Sequence, residues 1–276
     1  MADRDWVWAI LGCCFFPTLF VLVVHCQNLT SSKQHTTAVI YAISVRVVSA
    51  VQAVLASCVG VVIATSCEDV LRDRHWLTEP YAWFMTPYFY YDLVAMYLAY
   101  WHKTRRVQVM STTESVVQFV RDTPLLVLHH VCFPLVCLPV VVWLRKGVGD
   151  FFVGCFYLIE LAVPFISLRA VLIQLHKEDT VAYVLNGAAL FVTFSLCRVA
   201  IFPYLYWVYG RHIGVPTYHV PFHIPVKCTT GCAGVLMVQL YWWVQIARTS
   251  ARTVGTLSRK LCNVYDVSSV GKEKVS

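Results

Sequence analysis

Charge is what this sequence has least of. Only 13% of its 276 residues are Asp, Glu, Lys or Arg, about half of the ~25% usual in a soluble domain. That scarcity excludes a water-exposed globule of ordinary composition. Metal spacing is also missing. The 12 cysteines form no CxxC pair, and most, such as Cys13, Cys14, Cys132, Cys137, Cys155 and Cys197, lie inside apolar runs. They read as reduced, small hydrophobes rather than a disulfide framework, and no metal site is expected. Basic residues do not interleave with aromatics, which argues against a nucleic-acid partner. No internal repeat or low-complexity segment is found. Two seven-span classes are disfavoured in the same way. A G-protein-coupled receptor would carry an acidic-Arg-Tyr triplet after its third span, where WHKTRR stands, and an Asn-Pro-x-x-Tyr in its last. A membrane di-iron hydroxylase or desaturase would need several histidine clusters, and these are absent.

Apolar side chains are present in excess: 58% of residues are hydrophobic and the mean hydropathy is +0.63. Crossing ~30 Å of hydrocarbon takes ~20 apolar residues in a helix. Seven stretches qualify, at 6–26, 38–64, 81–101, 123–143, 151–175, 182–208 and 225–247. The expected fold class is all-α, a multi-pass membrane protein with seven transmembrane helices in one bundle. The first stretch is too long, and too weakly basic at its front, for a cleaved signal peptide. The third and sixth, with PYFYYD and FPYLYWVY, bring Tyr and Trp to interfaces or to a cavity wall. Residues 102–122 are expected to be a loop.

Orientation follows from Lys and Arg in the connecting segments. With a lumenal N-terminus, the cytosolic side holds Lys33, Lys103, Arg105, Arg106, Arg121, Lys177 and six residues of the tail, twelve in all. The other side holds six: Arg4, Arg72, Arg74, Arg145, Lys146 and Arg211. The tail is therefore expected in the cytosol. The sequon Asn28-Leu29-Thr30 then faces the cytosol and carries no sugar. The chain ends in KEKVS, with Lys272 and Lys274 spaced as in the KxKxx retrieval pattern of endoplasmic reticulum membrane proteins.

Ionisable groups inside the spans need a reason, because an unpaired charge at mid-bilayer costs about 2.5–3.5 kcal/mol or more. They are Arg46, Asp92, His129, His130, Glu160, Arg169 and Arg198, with Gln52 as an uncharged donor and acceptor. Ion pairing of Arg46 and Arg198 with Asp92 and Glu160, fixing helix register, is one reading. Arg169, out of phase with Glu160, belongs near the headgroups. The histidine pair suggests more. Adjacent helix residues diverge by ~100°, so one ring can enter a cavity while the other contacts a neighbouring helix. A neutral imidazole has the pKa of a base, and a carboxylate can fix its tautomer. Pro134 and Pro164 follow His130 and Glu160 by four residues, so the carbonyls of both are expected to be free at kinks. At ~1.5 Å per residue His129 lies ~9 Å below the cytosolic end of its span, with Asp92 and Glu160 nearer the midplane.

At these residues the chain resembles the TRAM–LAG–CLN homology (TLC) domain family, which includes the ceramide synthases, and within it the TLC domain-containing protein 3 subgroup. The resemblance rests on SVRVVSAVQAVLAS, DRHWL, PYFYYDLVAMYL, LHH, GDFFVGCFYLIELAVPF, VLNGAALFVTFSLCR and FPYLYWVYGRH, in that order. It covers residues 38–247, leaving an N-terminal helix and loop at 1–37 and a basic tail at 248–276. It implies a six-helix barrel in the membrane with the histidine pair in its cavity. It also implies acyl transfer from acyl-CoA, a co-substrate rather than a bound cofactor, to the amine of a sphingoid base. His129 and His130 would be catalytic, with Asp92 and Glu160 as the carboxylates, and Arg46, Gln52 and Arg198 would contact substrate. A homo-oligomer or other lipid-synthesis enzymes are the implied protein partners, beside membrane lipids. One element departs from the pattern. Ceramide synthases carry a His-Asp and a further Asp on the next helix, where this chain has YLIELAVPF with Glu160 as its only carboxylate. Either Glu160 or Asp92 replaces those acids, or the cavity binds, senses or moves lipid without transforming it.

Overall fold

The structure, a computed structural model, describes the backbone of residues 2–30, 35–105 and 110–273, and the side chains of 6–30, 35–105 and 110–252. Lys33, Arg106 and Lys274, which enter the charge count and the tail pattern, lie outside the described residues, as does the side chain of Lys272.

Every element among the described residues is helical. Three long helices come first: α1 (Ala2–Thr30), α2 (Thr37–Ser66) and α3 (Thr78–Thr104). A short α4 (Thr112–Asp122) precedes α5 (Pro124–Cys132), which continues through two π-helical turns, Phe133–Cys137 and Val140–Leu144. A 3-10 turn, Leu158–Ala162, joins α6 (Asp150–Tyr157) to α7 (Val163–Gln174). A π turn, Ser195–Ala200, joins α8 (Val181–Phe194) to α9 (Ile201–Ile213). The short α10 (Val220–His223) leads into α11 (Val226–Glu273). Among the described residues, five segments are long and apolar enough to cross a membrane: Trp6–Thr30, Thr37–Ser66, Pro124–Leu144, Asp150–Gln174 and Val181–Ile213. The all-α, multi-pass class expected from the sequence is the class observed. The other two expected spans, 81–101 and 225–247, fall within α3 and α11, where Tyr, Trp and polar residues dilute the apolar ones.

The segment 102–122 is not the plain loop expected from the sequence. Ser111 accepts from the Glu114 N–H, and the Glu114 carboxylate accepts from the Ser111 N–H. This reciprocal cap nucleates α4, and the Ser-x-x-Glu spacing at 111–114 was the legible sign of it.

Small residues set the packing. The central helix, α2, touches α1, α3, α6 and α7 and the 3-10 turn between the last two. Its buried face includes Ser44, Ser49, Ala53, Ala56, Ser57 and Gly60, which let neighbouring backbones approach, as membrane helices need when apolar burial alone cannot hold them together. A Cβ on Gly60 would lie 2.6 Å from the Gly154 carbonyl oxygen of α6, and one on Gly12 would lie 2.1 Å from the Phe84 carbonyl of α3. That second contact seats α1 firmly on α3, with Phe16 fully buried and its ring 5.2 Å from that of Tyr88. The remaining helices follow one another as α5, α3, α2, α6–α7, α8–α9 and α11, each packed on the next. The two ends of this series, α5 and α11, share no extensive contact among the described residues.

At one end of the bundle the connections are tied by charge. The Asp150 carboxylate, 1% exposed, accepts from Arg145 and from the His75 N–H at 2.7 Å. Arg74 and Arg145 both reach Glu79, at 3.0 and 3.4 Å. Asp69 accepts from the N–H groups of Leu71 and Arg72 and lies 3.7 Å from His212. Those backbone donors hold the Asp69 carboxyl below the usual carboxylate range, because they stabilise the charged form.

Candidate functional site

The two adjacent histidines of α5 have different surroundings. His130 is 6% exposed. Its Nε2 lies 2.9 Å from Asp92 Oδ2 of α3, and its Nδ1 lies 2.8 Å from the Leu126 carbonyl one turn back. A carbonyl only accepts, so Nδ1 carries a proton and donates it. The proton between Nε2 and Oδ2 then belongs either to the imidazole, as an imidazolium–carboxylate pair, or to the acid. In both states His130 has no lone pair left for a substrate. The other Asp92 oxygen lies 3.3 Å from the Ser49 hydroxyl of α2, which also lies 2.9 Å from the Val45 carbonyl. His130 thus ties α5 to α3 and, through Asp92, to α2.

His129 is exposed and makes no hydrogen bond among the described residues. Its ring rests on apolar neighbours, with centroids 5.9 Å from Phe89 and 5.6 Å from Phe133, two rings that themselves stack at 4.5 Å. Its plane stands at 85° to that of His130, 5.3 Å away. The ~100° divergence of neighbouring helix positions produces this split: one ring in the helix contact, one outside it.

Two further expected residues pair across the bundle. Glu160 sits on the 3-10 turn and Arg198 on the π turn of the next span, 3.6 Å apart. Arg198 also donates Nε–H to the Ile159 carbonyl at 2.9 Å, and Nη1 to Gln239 of α11 at 3.4 Å. Its guanidinium lies 5.4 Å from the Phe194 ring centre. The α11 contact is reinforced by Trp243, whose indole N–H donates to Ser195 at 2.8 Å. Arg198 is close enough to act electrostatically on His129, and Glu160 on His130. His129 is thus exposed on α5 while lying within electrostatic reach of a charged residue of another span.

Five of the seven expected residues, His129, His130, Asp92, Glu160 and Arg198, thus share one polar centre. Gln52 is buried on α2, where its backbone carbonyl accepts from the Tyr81 hydroxyl at 3.4 Å. Arg46 stands apart, half-buried on α2 and without a hydrogen bond or ion pair among the described residues. The carbonyl of Glu160, expected to be free, is not. The 3-10 turn tightens the backbone so that the Val163 N–H, which directly precedes Pro164, donates to it. Ser49 and Gln239 were missed by sequence reasoning. Ser49 lies three residues before Gln52 on the same helix face, a spacing that could have found it, while nothing local marks Gln239.

The irregular turns are part of the site. Three spans depart from α-helix at or next to a residue of the polar centre: after His129 and His130, at Glu160 and at Arg198. Such π and 3-10 insertions are enriched at functional positions because they turn side chains and carbonyls out of the regular ladder.

A family model described as the TLC domain matches residues 42–248. The chain belongs to that family, whose members point to a role in membrane lipids. No solved structure matches the chain.

Proposed function

We propose that this TLC-domain chain is a membrane lipid acyltransferase that forms ceramide by moving an acyl group from acyl-CoA to the amine of a sphingoid base. The observation that carries the reading is the exposed imidazole of His129, which makes no hydrogen bond among the described residues and stands beside the hydrogen-bonded His130–Asp92 pair. His129 takes the proton of the attacking amine as the nitrogen adds to the thioester carbonyl. The C–N bond forms, the C–S bond breaks, and the sulfur leaves with that proton as the CoA thiol. His130 and Asp92 hold the geometry, and the Glu160–Arg198 pair closes the far wall. Arg46, which has no hydrogen bond or ion pair among the described residues, binds an anionic group of the donor, while Gln52, enclosed in α2, supports the wall behind it rather than meeting the acyl chain. The basic residues Lys103 and Arg105 lie on the face from which CoA would arrive.

The finer architecture belongs to the same proposal: seven spans, six of them drawn into a TLC-type barrel, in the endoplasmic reticulum with the N-terminus lumenal and the C-terminus cytosolic. Placement in the TLC domain-containing protein 3 subgroup, with ceramide as product, is part of that proposal, and membership of the TLC domain family supports a lipid substrate.

One observation favours a second reading, a protein that binds, senses or transports lipid and so regulates membrane composition. Both carboxylates of the centre are engaged, Asp92 with His130 and Glu160 with Arg198, which leaves none to orient His129. Purified protein in nanodiscs, given labelled acyl-CoA and sphingoid base, separates the two. Labelled ceramide above the protein-free background supports transfer; saturable sphingoid-base binding without product supports the second reading and ends the first.

A further inference from the structure

We propose that α4 is a membrane-surface helix, its valine edge immersed in phospholipid at the boundary between headgroups and hydrocarbon. The inference does not depend on whether the molecule transfers acyl groups. At ~100° per residue the helix divides into three sectors. Ser115 and Phe119 form the packed sector and are buried, with the Phe119 ring 5.7 Å from Tyr97 and 5.4 Å from Tyr100 of α3. Val116, Val117 and Val120 form a second sector and remain 41%, 44% and 42% exposed. Glu114, Gln118 and Arg121 form the third, which is polar.

This helix is held in place from both ends. The Ser111–Glu114 cap fixes its start, and near its end Asp122 accepts from the Tyr100 hydroxyl at 2.8 Å. A single residue, Thr123, then separates it from Pro124, the first residue of α5. The valine edge is therefore continuous with a membrane-crossing helix, and the exposed apolar side chains carry on in Leu125 and Leu128. That continuity identifies the occupant. Three valines on a helix ~16 Å long are far too small an area for a stable protein interface, which needs about 1,200 Å² or more. Lipid sets no such minimum, because the neighbouring spans already hold the helix against the bilayer. A helix with one apolar and one charged edge lies in the interface plane.

The test uses the full chain in phosphatidylcholine nanodiscs with the photoreactive residue p-benzoylphenylalanine placed singly at Val116, Val120 or Gln118, all outside the packed sector. Illumination is expected to give phospholipid adducts by mass spectrometry at 116 and 120, at least severalfold above 118. Equal lipid adducts at all three positions, or cross-linked protein dimers at 116 and 120 in place of lipid adducts, would overturn the proposal.

Discussion

Two identical side chains in sequence become different in space because a helix turns between them. The LHH motif announced a polar centre, and the divergence of neighbouring positions announced that the rings would part. Which ring would be tied was not legible, since that depends on Asp92, 38 residues away in the chain. The structure gives that tie to His130. Removing one member of a buried, bonded pair strands the other and costs about 3–5 kcal/mol. Asp92→Ala and His130→Ala are each expected to destabilise the folded protein by roughly that amount, and the double variant by clearly less than their sum, as measured by a double-mutant cycle in denaturant. Additive losses would show that the two side chains do not act together. A second prediction concerns Asp69. Its folded-state pKa is depressed by the N–H groups of Leu71 and Arg72, so its contribution is present above the ordinary carboxylate pKa and lost as pH falls through the depressed value. The protection of the Leu71 and Arg72 amides, taken as exchange relative to the intrinsic rate at each pH, should fall in the wild type as acid protonates Asp69, whereas Asp69→Ala should show low protection already at neutral pH.

The elements were legible where apolar runs were long, and least so where a helix stays helical but changes pitch. Pro134, Pro139, Pro164 and Pro203 each sit within or beside one of the irregular turns, as the missing N–H would lead one to expect. Yet Pro17 and Pro87 lie inside α1 and α3, which stay α-helical. Proline marks where a ladder can break; tertiary contacts decide whether it does. Close packing of backbones was equally hidden, since Gly12 and Gly60 look no different in sequence from Gly231 and Gly234. A Cβ on the first two would clash with a neighbouring carbonyl, while one on the last two would meet nothing within 4 Å. Gly12→Ala and Gly60→Ala are thus expected to cost about 1–3 kcal/mol each through overpacking, with Gly231→Ala and Gly234→Ala near neutral. Thermal unfolding of the four variants side by side is the check, and equal midpoints would contradict the helix contacts described.

For the whole molecule, composition alone was enough to give an all-α membrane bundle, because little else can be built from so few charges. The order in which the helices pack could not be read that way. It leaves α5 and α11 without extensive contact among the described residues, and it sets α5 on α3 so that His130 is enclosed against Asp92 while His129 stays exposed. The proposed function divides the pair accordingly, with chemistry assigned to the first ring and the joining of helices to the second. The most direct test is to compare His129→Ala with His130→Ala for both initial rate of labelled acyl transfer and unfolding midpoint, in nanodiscs of one composition. The account predicts that His129→Ala keeps the wild-type midpoint and loses transfer by at least a hundredfold, whereas His130→Ala lowers the midpoint. Wild-type rates from a folded His129→Ala protein would contradict it.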